Sequence, residues 1–176
     1  MILLAASIVA YAYFNQTGLT LRFSEQQLEQ RLQQHFPYQK RTMGILQFEL
    51  NQPDVEFSPV GGRISITMQT TLEISAVLRR DGVLRISGVP SYQSGEGAFY
   101  LSSPRIDQFT IEGLAEKYSN MASSAISGVV ATLYANKPIY RLDTQSSNKQ
   151  KITKLVLRDI RITENYLVAV LGKPLD

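Results

Sequence analysis

Residues 64–78 read ISITMQTTLEISAVL, and their alternation decides the fold. Ile64, Ile66, Met68, Leu72, Ile74, Ala76 and Leu78 share one parity, broken only by Thr70. Ser65, Thr67, Gln69, Thr71, Glu73 and Ser75 hold the other, broken only by Val77. Successive side chains of a strand point to opposite faces, so this ribbon has one apolar and one wet face. At the usual strand rise it spans about 50 Å, roughly three times an ordinary strand. Such a ribbon needs a large sheet, or a long object to curl around.

Residues 113–136 supply that object. They predict a helix of roughly 36 Å, and from Tyr118 to Asn136 it contains no charged residue. Leu114, Tyr118, Met121, Ala125, Val129 and Leu133 form one face, which Ile126 and Val130 widen. Ser119, Ala122, Ser123, Ser127, Gly128 and Ala131 keep the rest small. The serines, asparagines and glycine dilute the apolar content below that of a membrane span. A helix without a charged face is expected to be buried on most sides.

The flanking elements are also marked. Ser24 is a natural N-cap, and Gln27 completes a capping box. Phe23 and Leu28 stand at staple positions, Leu28, Leu32 and Phe36 make a narrow stripe, and Pro37 ends the helix. Leu46, Phe48 and Leu50 alternate with polar residues, Pro53 interrupts, and Val55 and Phe57 resume. Pro59-Val60-Gly61-Gly62 is a turn. A loop at Arg80-Asp81-Gly82 pairs Leu78 with Leu84 and Ala76 with Ile86, apolar on apolar, and places Gly82 at a bulge position of positive φ. A polar connection follows Pro90, and residues 98–111 form a strand region with Pro104 on an edge. Tyr140-Arg141-Leu142 reads as extended, and 144–151 as a polar loop. Of two last strands, the first changes phase near Arg158-Asp159, implying a bulge. The second, from Tyr166, is apolar on both parities and should be covered on both faces.

The expectation is an α+β fold in a single domain over 19–172. A long, strongly curved antiparallel sheet of five to seven strands wraps one long helix from the second half of the chain, with a short amphipathic N-terminal helix outside. The 176 residues fit one domain; 44% are hydrophobic and 19% charged, and the net charge is +3. Basic residues are scattered without a stripe of interleaved aromatics, so nucleic acid is not an expected partner. The absence of cysteine rules out disulfides, thiolate metal sites and cysteine nucleophiles in this sequence. Residues 1–14, MILLAASIVAYAYF, are uncharged and apolar, short for a span but matched to a signal peptide or N-terminal membrane anchor. They predict export to the periplasm or inner-membrane anchoring facing it.

Three stretches together carry a family likeness: Leu19–Leu28 leading into the first helix, Asn136-Lys137-Pro138-Ile139-Tyr140-Arg141-Leu142 leaving the long helix, and Leu155–Ile162 near the end. In these the chain resembles the YceB-like family of bacterial envelope lipoproteins, which looks like a branch of the tubular lipid-binding (TULIP) superfamily. The resemblance implies a curved sheet wrapped on a long helix around an apolar channel, and a ligand class rather than a reaction. Such lipoproteins carry a cysteine after the signal peptide, which this chain lacks; the expectation is therefore a soluble periplasmic protein or one held by its N-terminal segment.

Catalytic patterns are weak. His35 is a lone helix-end histidine with no serine and acid spaced for a triad. Ser146-Ser147-Asn148-Lys149 matches S-x-x-K but lies in the polar loop, without companion motifs. Gly95-Glu96-Gly97 is too short for a phosphate loop. Asp54, Glu56, Asp159 and Glu164 read as solvated. No cofactor or metal is expected. The functional expectation is non-enzymatic binding of a lipid or other apolar small molecule in the cell envelope. Ile64, Ile66, Met68, Leu72, Ile74, Leu84 and Ile86 from the sheet would line the channel, with Tyr118, Met121, Ala125, Ile126, Val129 and Leu133 from the helix. The alternative is a protein–protein adaptor with a filled core, working through the Tyr92–Tyr100 connection.

Overall fold

The computed structural model describes residues 19–75, 77–142 and 155–172. The apolar segment 1–14, the polar loop 144–151 and Ala76 lie outside the described residues. In chain order the elements are β1 (Leu19–Phe23), α1 (Glu25–Gln33), β2 (Tyr38–Thr42), β3 (Leu46–Ser58), β4 (Arg63–Ile74), β5 (Leu78–Gln93), β6 (Ala98–Ile111), α2 (Glu116–Asn136), β7 (Tyr140–Arg141), β8 (Val156–Ile162) and β9 (Leu167–Gly172). The fold is α+β. The sheet expected to be single is two antiparallel sheets, one ordered β2-β3-β4-β5-β6-β7 and one ordered β1-β9-β8. Strand β9, apolar on both parities, is the central strand of the smaller sheet and is buried along most of its length. The bulge expected near Arg158 falls between Leu157 and Asp159.

Helix α1 forms as its caps dictate. Gln27 N–H donates to Ser24 Oγ at 3.3 Å, and Ser24 N–H to Gln27 Oε1 at 3.0 Å. Leu28 and Leu32 are buried. The polar side of the helix closes a sheet edge. Beyond the β3 bulge between Asn51 and Asp54, β2 no longer pairs with β3. There Glu29 Oε1 accepts from Val55 N–H at 3.0 Å and Glu25 Oε1 from Phe57 N–H at 2.6 Å. One helical turn and two strand residues are nearly equal in length, about 5.4 and 6.6 Å, so carboxylates four apart meet N–H groups two apart. Unpaired strand edges are otherwise templates for aggregation.

The expected Arg80-Asp81-Gly82 loop is corrected: the chain turns between Ile74 and Leu78, with Ser75 at φ +52° and Val77 N–H on the Ile74 carbonyl at 3.1 Å. Leu84 therefore faces Met68, and Ile86 faces Ile66. Both registers put apolar on apolar, because parity is unchanged by a shift of an even number of residues. The wet face decides between them. The observed register sets Glu73 against Arg79 and Thr71 against Asp81, where Thr71 Oγ1 donates to Asp81 Oδ1 at 2.7 Å. It also leaves Val77 in the turn, 90% exposed, instead of on the polar face of a strand. Strand β4 is thus about 40 Å long, and β5, with 16 residues, is the longest strand. Gly82 lies inside β5 for a different reason. A Cβ there would sit 1.9 Å from the Thr110 carbonyl oxygen of β6.

Helix α2 begins at Glu116; Gly113 sits before it in a turn at φ +60°. Ala122, Ala125, Ile126, Val129, Val130, Leu133 and Tyr134 are buried, and the main partner is β6, with β3 secondary. The expectation of burial on most sides does not hold. Ser123, Ser124, Ser127, Gly128, Ala131 and Thr132 are exposed. Ser127 Oγ donates to the Ser123 carbonyl at 3.0 Å and Thr132 Oγ1 to the Gly128 carbonyl at 2.9 Å. Hydroxyls returning to their own helix backbone give a polar surface without charge. Pro104 stands, as expected, where β6 has no strand neighbour on its outer side among the described residues and the β5–β6 register shifts.

The close approach at Gly82 makes a direct test. Gly82→Ala should destabilise the protein by about 1–3 kcal/mol in urea unfolding, as an overpacked site does. Gly95→Ala, where an added Cβ meets nothing within 4 Å, should remain within about 0.5 kcal/mol of wild type.

Candidate functional site

The thirteen residues expected to line a channel are brought together. Ile64, Ile66, Met68, Leu72 and Ile74 occupy the inner face of β4, and Leu84 and Ile86 stand beside them on β5. Ala125, Ile126, Val129 and Leu133 are buried on α2, while Tyr118 and Met121 are half-buried near its N-terminal end. All belong to one continuous apolar core, in which Ile66, Met68, Leu72, Leu84 and Ile86 are 0% exposed.

Sequence reading missed the rest of this seam. Phe48 and Leu50 of β3, Phe99 and Leu101 of β6, and Tyr134 of α2 share the core. The Phe48 ring lies 6.3 Å from the Phe109 ring although β4 and β5 stand between their strands in the sheet. The signal was present in the alternation of Leu46, Phe48 and Leu50, but which strands would meet is a matter of sheet order.

Two polar groups interrupt the seam. Among the described residues the Tyr134 hydroxyl has the Met68 sulfur, at 3.8 Å, as its sole partner. Burial holds its pKa far above the ordinary phenol value, because a phenolate would lose its hydration there. Thr70, the residue that broke the apolar parity, is 1% exposed, and its Oγ1 has no hydrogen-bond partner among the described residues. It stands two residues along the inner face from Met68, about 6.6 Å at the strand rise.

Two clefts open at the surface. One, of about 180 Å³, lies beside the seam and is lined by Pro104, Ile106, Ser127, Val130 and Ala131. The other, of about 420 Å³, lies between the end of α1 and the β3 bulge, lined by Gln33, Phe36, Pro37, Asn51, Gln52, Pro53 and Gln69. The Tyr92–Tyr100 stretch is a closed β5–β6 hairpin, with the Tyr92 ring 4.9 Å from Phe99. His35 is exposed, its Nδ1 3.3 Å from the Arg31 carbonyl oxygen. Glu56 pairs with Arg85, and Asp159 lies 3.7 Å from Arg161. Gly97 N–H closes a turn on the Ser94 carbonyl at 3.1 Å. The S-x-x-K residues, Ser146 to Lys149, lie outside the described residues. Among the described residues no three His, Asp or Glu side chains gather to hold a metal ion, and no helix is long and apolar enough to cross a membrane.

Residues 23–165 match the model of a family described as a protein of unknown function (DUF1439). The chain belongs to the DUF1439 family. The comparison with curated proteins gives no match. The DUF1439 region takes in the whole six-stranded sheet, both helices and β8, hence every residue of the seam named above.

The buried hydroxyls set the behaviour of this core. In the unfolded chain Tyr134 ionises near the ordinary 10.0; its folded pKa is raised, so its stabilising contribution is complete below that pH and lost as pH rises through and beyond it. Tyr92 and Tyr100 are shifted the same way, both chiefly by burial. Tyr134→Phe should flatten the alkaline fall in unfolding free energy. At neutral pH, Thr70→Val should raise stability by about 1 kcal/mol, because it removes an unsatisfied buried hydroxyl at nearly constant volume.

Proposed function

We propose that this DUF1439 protein is a non-enzymatic carrier of the bacterial cell envelope that holds a lipid or other apolar ligand between α2 and the inner face of the six-stranded sheet. One observation carries this reading: the surfaces that meet along α2 are apolar on both sides, and a cleft of about 180 Å³ opens at their rim beside Val130. Strand β6 is the main support of α2, and from Tyr118 onward the helix face turned away from the sheet is small and uncharged. A modest outward shift of α2 would extend the cleft along Ile126, Val129 and Leu133 without separating any ion pair formed among the described residues. Each acyl methylene buried there contributes about 0.8 kcal/mol.

The contact of Phe48 with Phe109 across two intervening strands supports an inner face that is concave toward α2. The YceB-like, tubular lipid-binding reading extends that concavity to a channel. The apolar, uncharged residues 1–14 support export to the periplasm, or retention at the inner membrane.

The second reading is a protein–protein adaptor with a filled core. The complete burial of Ile66, Met68, Leu72, Leu84 and Ile86 favours it. Its working surface would be the exposed uncharged side of α2, since the Tyr92–Tyr100 stretch is closed in a hairpin.

Native mass spectrometry of protein purified without detergent, together with displacement of a fluorescent fatty acid, separates the two. A carrier retains lipid and binds the probe; Ala131→Trp, at an exposed position of the cleft, should abolish probe binding and leave the melting temperature within a few degrees of wild type. Wild-type protein that neither carries lipid nor takes up the probe would rule the carrier out.

A further inference from the structure

The outer face of the six-stranded sheet carries a cluster that the apolar seam does not use. Ser87 of β5 faces Arg105 of β6, and Arg63 lies at the start of the adjoining strand β4. Arg63 Nε and Arg105 Nε each donate to Ser87 Oγ at 3.1 Å. A hydroxyl oxygen has two lone pairs; Arg63 Nε–H takes one, the single Arg105 Nε–H, shared with Asp107 Oδ1 at 2.8 Å, reaches the other, and the hydroxyl's own proton is left to give. Ser87 is only 2% exposed, and its O–H has no acceptor among the described residues. A buried donor in that position calls for an acceptor.

The charge points the same way. Arg63 Nη2 donates to the carbonyls of Ser87 at 2.9 Å and Ser103 at 3.2 Å. It forms no ion pair among the described residues. Arg105 has one carboxylate, Asp107 Oδ1 at 2.8 Å from its Nε. The neighbouring Arg85 is matched by Glu56. Two guanidiniums thus converge on one neutral oxygen with a single carboxylate between them, which leaves one positive charge. Arg63 Nη1 and both Nη groups of Arg105 make no hydrogen bond among the described residues.

The backbone is shaped to produce this convergence. The β5–β6 register shifts between Ser87 and Val89, and Ser103 there adopts φ +47°, left-handed for a residue with a side chain. Pro104 follows and has no N–H for the ladder. The bulge frees the Ser103 carbonyl for Arg63. Bulges re-aim side chains near functional sites, and a strained residue held in place by its surroundings often marks one.

We infer that Arg63, Arg105 and Ser87 form a binding site for a phosphate group, free or carried on a lipid headgroup. A phosphoryl oxygen would accept the Ser87 proton while the unused guanidinium N–H groups bind the others, the fork geometry for which arginine is suited. The site is separate from the seam and stands whether or not a ligand occupies α2.

Arginine Nε–Hε resonances of the labelled protein, titrated with inorganic phosphate at constant ionic strength, read it directly. Those of Arg63 and Arg105 should shift saturably while that of Arg85 stays. Arg63→Gln and Arg105→Gln should each weaken binding by about tenfold, as loss of a charge-assisted bond does. Ser87→Ala should weaken it less, and Arg85→Gln should leave it unchanged. Arg63→Lys, which keeps the charge but loses the fork, guards against a fold defect and should retain part of the affinity. Sedimentation with phosphatidylglycerol vesicles distinguishes the sources: binding lost in Arg63→Gln/Arg105→Gln marks a headgroup, and phosphate saturation without vesicle binding marks a free ion. The inference is overturned if neither phosphate nor vesicles move the Arg63 and Arg105 resonances, or if Arg85→Gln weakens binding as much as Arg63→Gln.

Discussion

The structure depends on covering one surface. Strands β3 to β6 turn a continuous apolar face in one direction; α2 lies against it at β6 and β3, α1 at β3, and the smaller sheet shares the same core. The side of α2 that meets the sheet presents alanines, valines, Ile126 and Leu133, so the helix lies close and no charge has to be desolvated. Among the described residues the polar groups buried deepest in the contact are the Tyr134 and Thr70 hydroxyls, the first on the Met68 sulfur and the second without a partner there. In an otherwise apolar core such groups cost stability.

The edges of the large sheet are managed by different means at its two sides. On β3, the bulge at Gln52 and Pro53 ends pairing with β2, and carboxylates from α1 take over the freed N–H groups. On β6, pairing with β7 covers only Ala98 and Phe99, and beyond them Pro104 and a second bulge interrupt the edge. That second bulge also gathers Arg63 and Arg105 on Ser87. One local distortion therefore serves edge protection and sets the geometry of the cationic cluster.

Much of this was legible from residue order. The capping box of α1, the β6 limits, the edge position of Pro104, the bulge near Arg158 and the set of inward residues on β4, β5 and α2 all follow from local rules. Spacing and turn chemistry act over a few residues, and these features need nothing more. The place of the β4–β5 turn is not legible in the alternation, which defines faces and not register: Leu84 has an apolar partner in either arrangement, and Glu73 with Arg79, Thr71 with Asp81 and Val77 in the turn choose between them. Strand β1 is not legible as a strand in the sequence, since five residues carry too little pattern to reveal a partner 140 and more positions away.

By itself the sequence determined which side chains are apolar and on which side of each element they stand, because the periods of strand and helix are properties of the backbone. It determined equally that α2 carries no charge from Tyr118 to Asn136. Only the tertiary structure decided that one side of α2 nevertheless faces outward, that the strands divide into two sheets, and that two arginines more than forty positions apart share one serine. Those outcomes turn on which surfaces compete to cover each other and on hydrogen bonds between distant segments, and no local rule carries that information.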